Sequence, residues 1–95
     1  MFIIDLNYIV PLDELDSHMA EHVDHLNKYY EKNVFVASGR KVPRTGGVIL
    51  ALADSVETIE KIIAEDPFFK HKLAEFKITQ FLTSKYHPDF KNLLA

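Results

Sequence analysis

The chain has 95 residues, 47% of them hydrophobic, with a net charge of -3 when its five histidines are neutral; this length fits one domain with a real but shallow core. It has no cysteine, which excludes disulfides, thiolate metal centres and a cysteine nucleophile. Its lysines and arginines are scattered and no apolar run approaches roughly 18–20 residues, which argues against a nucleic-acid footprint, a polybasic membrane patch and a membrane-spanning helix.

Residues 2–9 read as a strand, with Phe2, Ile3, Ile4, Leu6, Tyr8 and Ile9 as β-formers. The segment Met1-Phe2-Ile3-Ile4-Asp5 has no basic lead, so a cytoplasmic location is expected. Pro11 ends the strand and suits the first turn of a helix. From residue 12 to about residue 31, Leu15, Met19, Val23, Leu26 and Tyr30 recur at spacings of three or four. They predict one helix with an apolar stripe facing the core. Asn33 tolerates the left-handed conformation and suits the helix end. Residues 34–38 read as a second strand, and residues 39–46 as a polar loop with a glycine at each end. Residues 47–53 make a third, almost wholly apolar strand.

Asp54-Ser55-Val56-Glu57 resembles a capping box, with Asp54 as the cap. The helix that follows carries Val56, Ile59 and Ile63 inward and ends near Glu65, because Pro67 disfavours helix just before it. Asp66-Pro67-Phe68-Phe69 opens a short helical turn, and residues 73–82 read as the last strand. The order β-α-β-β-α-β is the split βαβ pattern. It predicts an α+β, ferredoxin-like fold: a four-stranded antiparallel sheet with two helices on one face, spanning residues 1–82. Residues 83–95 form a tail too apolar to be an obvious free end, and an oligomer contact or a cleft cover is expected of it.

A sheet with one wet face alternates apolar and polar residues. Residues 2–4, 34–37 and 48–53 are instead apolar at consecutive positions, so both faces call for burial. Two helices cover only one face, and a second copy of the chain, in a homodimer or higher oligomer, is the simplest cover for the other.

His22 falls within the apolar stripe, where an imidazole is partly desolvated and suited to acid–base work. A core-edge histidine with one satisfied hydrogen bond is the plainer reading. Asp66 before Pro67 is explained by helix capping alone. A functional role requires it to reach His22, fix the tautomer of the ring and leave the other nitrogen free for proton transfer. His18, His22 and His25 share one side of the helix, but no remote ligand is apparent and His25 points toward the polar edge. They are read as solvated histidines, with no metal expected. Ser38-Gly39-Arg40 ends the second strand. Gly39 suits a positive φ or close approach of a ligand, and Arg40, with Arg44 assisting, suits an anion. Turn glycine and solvated arginines explain the same residues. Phe68 and Phe69 are more often core than substrate platform, and Tyr29 is placed at the rim of the stripe. Neither a phosphate-binding loop nor a nucleophile-elbow motif occurs.

Together, the helix bearing His22, Ser38-Gly39 after the second strand, the apolar strand after Gly46-Gly47 and Asp66-Pro67-Phe68 resemble the YciI-like (YCII-related) family of the dimeric α/β-barrel superfamily. The likeness spans roughly residues 2–82. It implies a homodimer whose two sheets face each other, and a cleft shared by His22 and Asp66. The superfamily includes cofactor-independent enzymes acting on small cyclic or aromatic compounds, and a dehydrohalogenating lyase role is assigned within the YciI-like group. The resemblance therefore implies a small enzyme of isomerase or lyase type without an organic cofactor. His22 and Asp66 would be catalytic, with Ser38, Gly39, Arg40 and Phe68 at the substrate. A non-catalytic small-molecule-binding protein and a purely structural oligomer are the competing readings.

Overall fold

A computed structural model describes residues 1–94. Its sheet has the order β2-β3-β1-β4 with every pairing antiparallel. The strands are β1 (Phe2–Tyr8), β2 (Phe35–Arg40), β3 (Gly46–Ala51) and β4 (Ala74–Gln80). Period-two alternation sets the inner face: Phe2, Ile4 and Leu6 of β1 are buried opposite Ala51 and Ile49 of β3, and Ala74 of β4 joins them. Helices α2 (Met19–Glu31) and α3 (Val56–Glu65) add Tyr29 from the first and Ile59, Ile62 and Ile63 from the second, and Leu15, Phe35, Phe68 and Leu73 complete the core. This is the expected α+β, ferredoxin-like architecture.

Three local expectations are corrected. Residues 12–31 form two helices, α1 (Leu12–Asp16) and α2, because Ser17 Oγ donates to the Glu14 carbonyl at 2.6 Å and His18 leaves helical geometry at φ -112. The buried face of α2 is His22, His25 and Tyr29, rotated from the expected stripe, and Val23 is 41% exposed. Polar bonds cause this rotation. Tyr29 donates its hydroxyl to Glu65 at the end of α3, and His22 bonds Asp66 just beyond it. Finally, α3 is capped by Ser55, whose Oγ accepts from Thr58 N at 3.3 Å, in place of the Asp54–Glu57 box.

Helix ends follow backbone chemistry. Asn33 takes φ 58 after α2, with Val34 N donating to the Tyr29 carbonyl and Asn33 N to the Tyr30 carbonyl, which is a Schellman closure. The same closure ends α4 (Pro67–Lys70), with Lys72 at φ 56 and Leu73 N donating to the Phe68 carbonyl.

The other face of the sheet carries Ile3, Val48 and Leu50, all half-buried, beside Asp5 and Lys41 paired at 2.5 Å. Beyond β4 the chain makes a 3-10 turn (Pro88–Phe90) and α5 (Lys91–Leu94). Asn92, Leu93 and Leu94 line a hollow with Asn33, Phe35 and Leu52, near the start of β2 and the end of β3. No helix among the described residues is long and apolar enough to cross a membrane.

Candidate active site

Asp66 belongs to two helix ends at once. It is the C-cap of α3 and the N-cap of α4, in extended geometry at φ -69 and ψ 127. Pro67 at the first position of α4 enforces that geometry on the preceding residue. The carboxylate is thereby turned inward and is 1% exposed. Its Oδ1 accepts from Phe68 N at 2.9 Å and pairs with His22 Nδ1 at the same distance. A carboxylate this buried needs such donors.

His22, one turn into α2, presents its ring to the carboxylate and to Phe68. The two rings stack with centroids 3.9 Å apart and planes 2° from parallel. A carboxylate accepts, so Nδ1 is assigned as the donor of this bond, and Nε2 is the ring nitrogen left for another partner. Among the described residues the ring bonds through Nδ1 alone.

His22 also lines a cleft of about 370 Å³ between α2 and the inner face of β1–β3. This is within the size range of small-molecule pockets, roughly 300–1,000 Å³. Met19, Val23 and Leu26 form one wall, and Leu6 and Ile49 form the floor. Three residues of the apolar stripe read from the sequence therefore line the cleft, while Leu15 is in the core.

Ser38, Gly39 and Arg40 border the cleft from β2. Ser38 Oγ lies 2.6 Å from the Tyr30 hydroxyl. Arg40 forms no ion pair among the described residues. Arg44, from the β2–β3 loop, is instead bound by Asp16 at the end of α1, and both residues line the cleft. The hydrogen bond from Arg44 holds the Asp16 carboxyl below its usual range, and Asp16 in turn raises the Arg44 guanidinium. Gly39 has no positive φ and nothing within 4 Å of an added Cβ, so the conformational reason expected for this glycine does not hold. Phe68 does not line the cleft. It is 1% exposed and backs the imidazole.

His25 is corrected from polar edge to interior. It packs edge-on against Tyr29 and Phe35, with centroids at 5.2 and 6.2 Å. Burial pushes its pKa below the ordinary 6.5, against the pull of the Asp66 carboxylate. The cluster His18, His22 and His25 does not assemble. Each ring has a different partner, and His18 stacks on His71.

Sequence reasoning missed the Asp16–Arg44 pair because its members are 28 residues apart and neither belongs to a motif. The contact of Tyr30 with Ser38 had a weak signal, a tyrosine at the end of an apolar stripe, but no sequence spacing identifies its partner.

The YCII-related domain family matches residues 1–82. No curated protein matches the sequence. Among solved structures, the chain is similar to 5-chloro-2-hydroxyhydroquinone dehydrochlorinase (TftG) from Burkholderia phenoliruptrix, in complex with 2,5-dihydroxybenzoquinone. The TM-score is 0.71 at 18% identity, covering 86% of this chain and 94% of that one. A likeness at that identity establishes the shared fold.

Proposed function

Since the chain belongs to the YCII-related domain family, we propose that it is a small enzyme without an organic cofactor that moves a proton on a small cyclic or anionic metabolite. The family and the dehydrochlorinase neighbour are compatible with an enzyme acting on a small molecule. The observation that carries the reading is the bond of His22 Nδ1 to Asp66 at 2.9 Å, in a residue that lines a cleft.

In the proposed reaction Nε2 of His22 takes a proton from a carbon next to a carbonyl. Asp66 accepts from Nδ1 throughout, orienting the ring and stabilising the imidazolium that forms. The electron pair moves onto the carbonyl oxygen, and Arg40 with the Ser38–Gly39 backbone faces that developing charge. Returning the proton to a second carbon completes an isomerisation, whereas expelling an anion from the neighbouring carbon completes an elimination. Phe68 keeps water from the back of the ring. The apolar walls suit a flat ring, and Arg40 suits its acidic oxygen.

The same reading includes a cytoplasmic homodimer. Its support is the half-buried Ile3, Val48 and Leu50 on the sheet face that lacks helices. Light scattering on the purified chain reads the mass directly, and a monomer would refute this part.

The first ligand to try is 2,5-dihydroxybenzoquinone, followed by halogenated and unhalogenated hydroquinones and small lactones, with product followed by absorbance. His22→Ala is expected to abolish turnover and leave the circular dichroism spectrum unchanged. Turnover retained in His22→Ala would sink the mechanism. Saturable binding with no product from any ring compound would favour a binding protein.

A further inference from the structure

Outside the cleft, three side chains converge where α1 meets α2. His18 stands at the N-cap of α2, Glu21 lies in its first turn, and His71 is the C-cap of α4. One nitrogen or oxygen from each can be chosen so that all lie within 4.8 Å of one another. The rings of His18 and His71 stack at 4.2 Å. His18 Nδ1 is closed off from solvent and has no hydrogen-bond partner. Glu21 Oε2 lies 3.6 Å from it, beyond hydrogen-bond reach. A buried nitrogen left without a partner is costly and calls for a physical reason.

We propose that His18, Glu21 and His71 bind one late first-row divalent cation of the zinc type. Two imidazoles and a single carboxylate suit zinc, nickel or copper, while magnesium and calcium need more oxygen donors. Tetrahedral zinc with metal–nitrogen bonds of about 2.0–2.1 Å places its ligand atoms roughly 3.4 Å apart. Glu21 Oε2 already lies 3.6 Å from His18 Nδ1, and the exposed Glu21 and His71 adjust by changing rotamer without disturbing the core. His18 Nδ1 is the fixed point of the site, and water completes the coordination.

The site is distinct from the cleft, since none of the three residues lines it. Its position gives it a structural effect. His22 follows Glu21 directly, and Asp66 caps the helix that His71 closes. A bound ion would clamp the start of α2 to the end of α4, the two elements that carry the His22–Asp66 bond. Because it binds only the folded chain, it raises the melting temperature with concentration.

The test uses the full chain stripped with EDTA and exchanged into chelator-free buffer. Titration with zinc chloride is read by calorimetry and by melting temperature, with magnesium chloride in parallel. One zinc per chain is expected, with a rise in melting temperature that magnesium does not produce. His71→Ala, at an exposed position, is expected to weaken zinc binding at least tenfold, as is Glu21→Gln, while His87→Ala in the tail leaves it unchanged. Absence of zinc binding would overturn the proposal, as would equal affinity in the wild type and His71→Ala.

Discussion

Replacing Asp66 by alanine removes two bonds that end on one oxygen. The first caps α4 through Phe68 N and the second holds His22, both at 2.9 Å. Loss of a helix cap costs about 0.5–2 kcal/mol. Loss of a hydrogen bond to a charged group costs about 1.5–3 kcal/mol, the more so because the His22 donor stays buried without a partner. Together the expected cost is about 2–5 kcal/mol. In a domain of this size that lowers the melting temperature by roughly 8–40 °C. Urea unfolding at one fixed protein concentration measures it, since self-association would make stability depend on concentration. A cycle with His22→Phe, which keeps a ring against Phe68, separates the two contributions. Coupling of about 1.5–3 kcal/mol is expected between the two positions. A cost confined to about 0.5–2 kcal/mol, with coupling under about 0.5 kcal/mol, would show that Asp66 only caps α4.

Three further outcomes follow from the backbone and from burial. Gly46 lies in β3 with a built Cβ 1.8 Å from the Leu6 carbonyl oxygen, so Gly46→Ala forces the strands apart. A loss of at least about 1–3 kcal/mol is expected in urea unfolding, while Gly39→Ala, in open space, changes stability by less than about 1 kcal/mol. Lys72 sits at φ 56, where an L side chain is strained, so Lys72→Gly is expected to raise stability by up to about 1 kcal/mol in the same assay. The buried His25 resists protonation below its ordinary pKa of 6.5. The unfolded chain therefore binds the extra proton, so this contribution is complete above about pH 6.5 and is lost as the pH falls below it. His25→Gln is expected to flatten the unfolding free energy between about pH 5 and about pH 7, and an unchanged slope would contradict the burial argument.

What the sequence made legible was local. The β-formers of residues 2–9 and the all-apolar residues 47–53 marked two strands, and Asp66-Pro67 marked a helix start, because each signal lies within a few residues. The split of residues 12–31 depended on one hydroxyl. Ser17 can bond its own helix or face water, and the sequence does not choose between them. The rotation of α2 was illegible for a different reason. Met19, Val23 and Leu26 satisfy helical spacing whether they meet a core or a cleft. The choice was made by Tyr29 and His22 reaching Glu65 and Asp66, 36 and 44 residues away. The proximity of His22 and Asp66 came from the family resemblance. No spacing rule predicts it.

The cleft's charges bear on how a proton could move in it. Arg44 is matched by Asp16, so Arg40 is the cleft's unmatched cation among the described residues. Asp66 is buried, bonds the imidazole and does not line the cleft. In the proposed reaction the proton leaves a C–H bond, and two charges appear together. The positive one forms on His22, already in contact with Asp66, and the negative one forms on the substrate oxygen, facing Arg40. Each new charge is created beside a fixed opposite charge, so little of the protein must reorganise as the proton moves. A purely structural His–Asp pair has no use for a cleft with an unmatched arginine. A binding module would use Arg40 but gains nothing from a free Nε2 on an oriented imidazole. Only proton transfer uses the three features together, which is why the enzymatic reading takes precedence over both competitors.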